Sequence, residues 1–299
     1  MEYIENEGKR SNPTHRRAKY THMIEKGLST PNRRDVFAEG FIQDLVPDVI
    51  TAWEKSDDPL ADDRLLWSID VIDTYFHVAG ETEIINKFRK EFREFLEDIE
   101  YTPENRTPRR RKEVEQNPVS YEELCSLSNQ RSSTRWFQDK EVPRGELDKA
   151  IQIAAKAPSA CNKQSFEFRI YDDETVLDDL FDLRVGLNSF KDTIPCYVVV
   201  VGKYRAYEDD REKNSVHIDA SLAAMSFQYA LETLGLAACM VNWPAILSDH
   251  HKISEILGLD ADEMIITTMA VGYPDPDSMI PYSSKKDLSS LRSYNSVDD

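Results

Sequence analysis

The run Cys196-Tyr197-Val198-Val199-Val200-Val201 constrains this chain more than any other stretch. It is continuously apolar and is bounded by Pro195 and Gly202. A short apolar run between turn residues reads as a strand buried on both faces, because a strand with one wet face would alternate. Such a strand belongs in a sheet that helices cover. The flanking sequence supplies those helices. Residues 146–157 carry Leu147, Ile151, Ala154 and Ala155 on one stripe, and Pro158 ends the helix. Residues 217–234 read as a long helix stopped by Gly235, with Ile218, Leu222, Met225 and Tyr229 expected on its core face. That helix is rich in small residues, among them Ala220, Ala223, Ala224 and Ala230, which let another backbone approach closely. Residues 166–171, 236–241 and 264–273 read as further strands, and 248–257 as a helix stopped by Gly258. Residues 118–299 are therefore expected to form an α+β unit, a mixed sheet wrapped by helices.

Residues 1–117 read differently, as a mainly helical N-terminal extension. Val36, Phe37, Phe41, Ile42 and Leu45 recur at helical spacing, and Pro47 is expected to start a new turn or helix. Residues 62–79 place Leu65, Leu66, Ile69, Ile72, Tyr75 and Phe76 on one face, with Gly80 as a C-terminal stop. Thr82 suits the cap of a helix carrying Phe88, Phe92, Leu96 and Ile99. An antiparallel bundle or helical layer follows. Residues 101–118 hold three prolines and the run Arg106, Arg109, Arg110, Arg111, Lys112, which reads as a solvated linker. His15, Arg16, Arg17, His22 and Lys26 read as an exposed helix face, with the lining of an anionic pocket as the alternative.

The 299 residues carry a formal net charge of −18, which excludes nucleic acid or an anionic membrane as the main partner. No apolar stretch approaches the roughly 18 residues of a transmembrane helix. The acidic N-terminus lacks a signal-peptide core, and Cys125, Cys161, Cys196 and Cys239 form no CxxC pair. A cytoplasmic protein with free thiols and no metal site is expected. The dinucleotide, P-loop, zinc-protease and nucleophile-elbow motifs are missing. Asp219 stands alone on the long helix and reads as a hydrogen-bonded carboxylate. With no protein residue cast as catalyst, a cofactor is expected to carry any reaction.

One stretch points to that cofactor. Arg131-Ser132-Ser133-Thr134-Arg135 packs guanidinium and hydroxyl donors into consecutive positions before Trp136-Phe137. These are the usual donors to a phosphate. Together with Ala157-Pro158-Ser159-Ala160-Cys161-Asn162-Lys163-Gln164, the small-residue helix from Asp219, Ala270-Val271-Gly272-Tyr273-Pro274 and the pair Lys285-Lys286, it resembles the nitroreductase family of flavin enzymes. The resemblance covers about residues 121–291. One departure is Ser165, where the family usually has proline.

The resemblance implies an FMN-binding homodimer with its sites at the subunit interface. Arg131 and Ser133 would hold the FMN phosphate, with Lys285 or Lys286 reaching it, and Ser132 would contact the ribityl or pyrimidine side. Arg135 would sit near flavin N1, where a cation stabilises the charge that reduction brings. Pro158, Ser159, Ala160 and Asn162 of the partner chain would pack along the ring. Asn188, Asn242 and Trp243 are further candidates for the ring edge. The implied activity passes a hydride from NADH or NADPH through flavin N5 to a small electron-poor acceptor such as a nitroaromatic or quinone. A dehalogenase or modifying oxidase on the same fold is the alternative, as is a non-catalytic flavin-binding protein acting through its helical extension. Residues 203–215 read either as a substrate lid or as an exposed acidic loop.

Overall fold

The structure is a computed structural model, and it describes residues 12–104, 106–114, 118–182, 187, 189–207, 210–241 and 247–295. Four helices come first: α1 (Pro13–Ser29), α2 (Glu39–Lys55), α3 (Asp63–Val78) and α4 (Glu83–Asp98). Local chemistry starts three of them. The Asn12 side chain accepts from Thr14 N with Pro13 beside it, Asp62 accepts from Arg64 N and Leu65 N, and Thr82 accepts from Ile85 N. Ile24, Ile42, Leu45, Leu65, Ile69, Tyr75 and Phe92 give these helices a core of their own.

Three local expectations change. Pro47 lies inside α2 rather than at its start. Proline removes one helical hydrogen bond, and burial of Ile42, Leu45, Val46 and Val49 along the same helix offsets that loss. Gly80 follows α3 but does not take the left-handed conformation. Its N–H donates to Asp35 O at 2.8 Å, and an added Cβ would lie 3.2 Å from Val36, so glycine serves close approach there. The start of the basic linker is not free. Buried Asp70 accepts from Tyr101 Oη at 2.7 Å, Glu104 N at 3.2 Å and Arg106 N at 2.8 Å. The expected boundary at 117/118 meets residues 115–117, outside the described residues.

The rest of the chain runs α5 (Tyr121–Gln130), α6 (Arg144–Ala154), β1 (Phe166–Tyr171), α7 (Glu174–Asp182), β2 (Cys196–Lys203), α8 (Ser215–Thr233), β3 (Ala237–Val241), α9 (Leu247–Leu257), β4 (Glu263–Gly272) and α10 (Leu288–Leu291). The strand order is β1-β2-β4-β3. Among the described residues all three ladders are antiparallel, and parallel pairing enters only as the isolated bridge Ser133↔Ala238. The apolar run is the buried strand it was expected to be. Val198 and Val200 face Leu147, Ala150 and Ala154 of α6 and Ala220, Ala223 and Phe227 of α8. Tyr197, Val199 and Val201 face Leu177 and Leu180 of α7 and Ile253 and Leu257 of α9.

The expected core face of α8 is reversed. Ile218 and Leu222 are 56% and 43% exposed, while Ala220, Ala223, Ala224 and Phe227 are fully buried. The helix lies close on the sheet, and only small side chains fit most of the gap. Gly202 shows the same closeness, since a Cβ there would collide with Val216 at the start of α8.

The helical unit docks on residues 160–163 of the α+β unit. Arg64 of α3 donates to Asn162 O at 2.9 Å and Lys163 O at 3.3 Å. The His15 ring of α1 lies beside the Lys163 backbone. Part of the expected solvated face is thus internal, though Lys26 stays exposed: Arg16 pairs with Asp48 at 2.6 Å, and buried Arg17 lies 3.7 Å from Asp62. Burial, then the Arg64 charge, pushes the His15 imidazole down to about 4 from 6.5. Its Nδ1 is buried without a hydrogen-bond partner among the described residues, so a proton there has no acceptor.

Two predictions follow from this packing. A Cβ at Gly272 would lie 2.8 Å from Phe137 and 2.9 Å from Pro195. Gly272→Ala should therefore cost about 1–3 kcal/mol, read as a lower denaturant midpoint; an unchanged midpoint would show that Phe137 yields freely. For His15 the unfolded chain binds the proton more tightly. The neutral ring's contribution is fully present above pH 6.5 and is lost as pH falls towards 4. Wild-type Tm should drop further between pH 6.5 and 4.5 than that of His15→Gln, and parallel drops would contradict this assignment.

Candidate functional site

α8 carries a buried carboxylate near each end, Asp219 and Glu232. At 1.5 Å per residue they stand about 20 Å apart. Each one holds a segment that the sequence marked.

At the Glu232 end, Gln130 Nε2 donates to Glu232 Oε2 at 3.1 Å, and the Ser132 backbone lies near this carboxylate. Burial raises the Glu232 pKa, against the pull of Gln130 and the Arg131 charge. Helix α5 ends at Arg131. The chain then follows the sheet end. Ser133 bridges Ala238 of β3, Thr134 N donates to Ala238 O at 3.2 Å, Phe137 bridges Pro274, and Gln138 N donates to Tyr273 O at 2.9 Å. This pairing turns Thr134 and Phe137 inward. Arg131, Ser132 and Ser133 stay half-buried, and Arg135 and Trp136 are exposed. Neither the Arg131 nor the Arg135 guanidinium makes a hydrogen bond among the described residues. Arg135 lies near Cys239, whose thiol is pushed up by burial and drawn back by this charge.

At the Asp219 end, Oδ2 accepts from Ala160 N and from Tyr207 Oη, both at 2.9 Å. The Tyr207 hydroxyl also bonds Ser165 Oγ. Burial raises the Asp219 pKa, and the Ala160 N–H and Tyr207 hydroxyl oppose that shift. Lys163 is only 1% exposed. Its ammonium meets both Glu212 oxygens at 3.0 Å and lies 4.9 Å from the Tyr207 ring centre. Ser159 Oγ accepts from Gln164 N at 3.1 Å. Asp219 is thus the hydrogen-bonded carboxylate expected of it. Residues 204–207 and 212 are anchored to this loop and to Asp262, not merely exposed.

The predicted site residues therefore form two groups in one chain. Arg131, Ser132, Ser133 and Arg135 lie at one end of α8, and Pro158, Ser159, Ala160 and Asn162 at the other. Lys285 donates to its own Ser283 O at 2.9 Å. Lys286 lies beside it on an exposed C-terminal arm, and neither lysine bonds either group among the described residues. Asn188, Asn242 and Trp243 fall outside the described residues. Arg64 and Glu232 escaped the sequence reading; Lys163 stood in the quoted motif, and Tyr207 and Glu212 in the segment 203–215, without their partners being readable. Ser165 was the available signal, since a buried hydroxyl in place of proline needs a partner, and Tyr207 is that partner.

Comparison with known proteins gives a consistent answer. The nitroreductase family model matches residues 129–184 and 177–273. Iodotyrosine deiodinase 1 of Pongo abelii is 24% identical over 230 residues, covering 67% of this chain and 77% of the deiodinase. A solved nitroreductase of Bacillus subtilis superposes with a TM-score of 0.52 and 19% identity, over 57% of this chain and 74% of that one. A Staphylococcus epidermidis structure assigned as an NAD(P)H:FMN oxidoreductase gives 0.51 and 20%, over 60% of this chain and 100% of that one. No helix among the described residues is long and apolar enough to cross a membrane. The sheet, its covering helices and the segments at the two ends of α8 thus lie within a region, residues 129–273, that belongs to the nitroreductase family.

Proposed function

We propose that this protein is an FMN-dependent oxidoreductase that takes reducing equivalents from NADH or NADPH and delivers them to a small electron-poor acceptor. The observation that carries this reading is the donor set at the Glu232 end of α8. Arg131, Ser132 and Ser133 follow one another along a sheet end, and their side chains make no hydrogen bond among the described residues. Guanidinium and hydroxyl donors in that arrangement fit a phosphate monoester. Arg135, exposed on the same segment, is assigned to the ring end, where its fixed charge favours an anionic ring. The flavin, when bound, supplies the redox chemistry, cycling between oxidised and two-electron-reduced forms. The chain's own residues bind and orient it. Pro158, Ser159, Ala160 and Asn162 are assigned to the ring face, and Asn188, Asn242 and Trp243 to its edge on the family pattern alone.

The separation of the two groups supports a homodimer. One chain presents them about 20 Å apart along α8. A two-fold copy brings the Asp219 end of one protomer against the Glu232 end of the other. The surface is suited to this: Leu124, Ile218, Leu222, Met240, Tyr282 and Leu288 are exposed, and such apolar faces are what subunit contacts cover. On the C-terminal arm, Lys285 and Lys286 are assigned to the phosphate in the assembled dimer. Four free cysteines fit a reducing cytoplasm.

A second reading, reductive dehalogenation, is favoured by one observation. The match to iodotyrosine deiodinase runs over 230 residues, beyond the region that the family model covers. Both readings need bound flavin and differ in the acceptor.

The purified protein should show a flavin spectrum that NADH or NADPH bleaches without oxygen. Adding a nitroaromatic, a quinone or iodotyrosine then names the acceptor, with released iodide as the mark of dehalogenation. Arg131→Ala should weaken FMN binding roughly 10- to 150-fold, the worth of one charged hydrogen bond. A protein that stays colourless after reconstitution with FMN overturns both readings.

A further inference from the structure

The loop that leads into β1 holds an unusual backbone. Cys161, Asn162 and Gln164 have φ of 51, 52 and 50°. This left-handed region strains residues with a Cβ, and it persists where the surroundings over-determine it. Within the nitroreductase-family region, the ends of the loop are held. Asp219 takes Ala160 N, Ser159 takes Gln164 N, and Glu212 takes the Lys163 ammonium. The carbonyls of Asn162 and Lys163, at the centre of the turn, go elsewhere. Both accept from Arg64 of the helical unit. Among the described residues Arg64 forms no ion pair, so these carbonyls are what its guanidinium serves. Asp62, which caps α3, lies close enough for its charge to act on Arg64 and also pairs with Arg17.

We infer that Arg64 is a positioning residue for the cofactor site: the helical unit fixes the loop 159–164, and retention of FMN depends on a contact from outside the family region. This rests on the flavin reading given above. Without Arg64 both carbonyls lose the guanidinium, and the left-handed turn has less to hold it. The loop then samples other conformations, and the cofactor must pay to order it again. The N-terminal helices thereby gain a role that their own core does not explain.

The test uses the full chain as Arg64→Ala, Arg64→Lys and Arg16→Ala, the last breaking the Arg16–Asp48 pair away from the loop. FMN affinity is measured by flavin fluorescence. In FMN-free protein, the rate at which N-ethylmaleimide alkylates Cys161 is followed by peptide mass mapping, because this thiol sits in the turn itself. Arg64→Ala should raise the FMN Kd at least 10-fold and speed Cys161 alkylation by a similar factor. Arg64→Lys, which keeps the charge and part of the donor set, should lie between; it carries the comparison should the alanine variant not fold. Arg16→Ala should match wild type in both readouts even where its Tm falls. Wild-type Kd and alkylation rate in Arg64→Ala overturn the inference, as does loss of FMN with Cys161 unchanged. Equal losses in Arg16→Ala reduce Arg64 to a stability role and overturn it too. A wild-type protein that never binds FMN overturns the flavin reading, and the Cys161 rates then report on the Arg64 contact separately.

Discussion

The closeness with which α8 lies on the sheet governs the rest of this structure. Alanines fill most of the gap, so the helix axis sits near the strands and its larger side chains are displaced outward. Two carboxylates, Asp219 and Glu232, are carried into the interior by the same packing. A buried carboxylate is costly unless donors surround it, and the chain supplies them from the segments it needs to fix. Ala160 N–H and the Tyr207 hydroxyl serve one carboxylate, while the Gln130 amide serves the other. Core packing and site geometry are therefore one problem here, solved along a single helix.

In the proposed dimer, that helix also sets the thermodynamics. Each cofactor would touch both chains, so its binding and subunit association reinforce one another by linkage. The outward face of α8, with Ile218 and Leu222, is the counterpart of the inward alanine face.

Much of this was legible in the sequence because it is local. The buried strand, the stops at Pro158, Gly235 and Gly258, the cap at Thr82 and the donor run from Arg131 to Arg135 each declare themselves within a few residues. What escaped depends on distance along the chain. Arg64 reaches Lys163 across 99 positions and Lys163 reaches Glu212 across 49, and no periodicity reports such pairs. The α8 face was misread for a related reason. Periodicity shows that a helix has two faces, but the tightness of its packing decides which is the core, and that is a property of the sheet beneath. Pro47 was misjudged because the cost of a missing N–H is local while the burial that offsets it is not. The basic patch at His15 and Arg17 looked solvated because its partners, Lys163 and Asp62, lie in other elements.

Arg64 recognises the loop through main-chain carbonyls alone. Every residue has a carbonyl, so this docking places no demand on which side chains stand at 162 and 163, only on the path of the backbone. What limits those positions is local to the loop, the left-handed backbone at Asn162 and the buried Lys163–Glu212 pair, and not the contact with the helical unit. An appended unit seated in this way reads the course of the main chain and leaves the choice of side chains there to the loop's own packing.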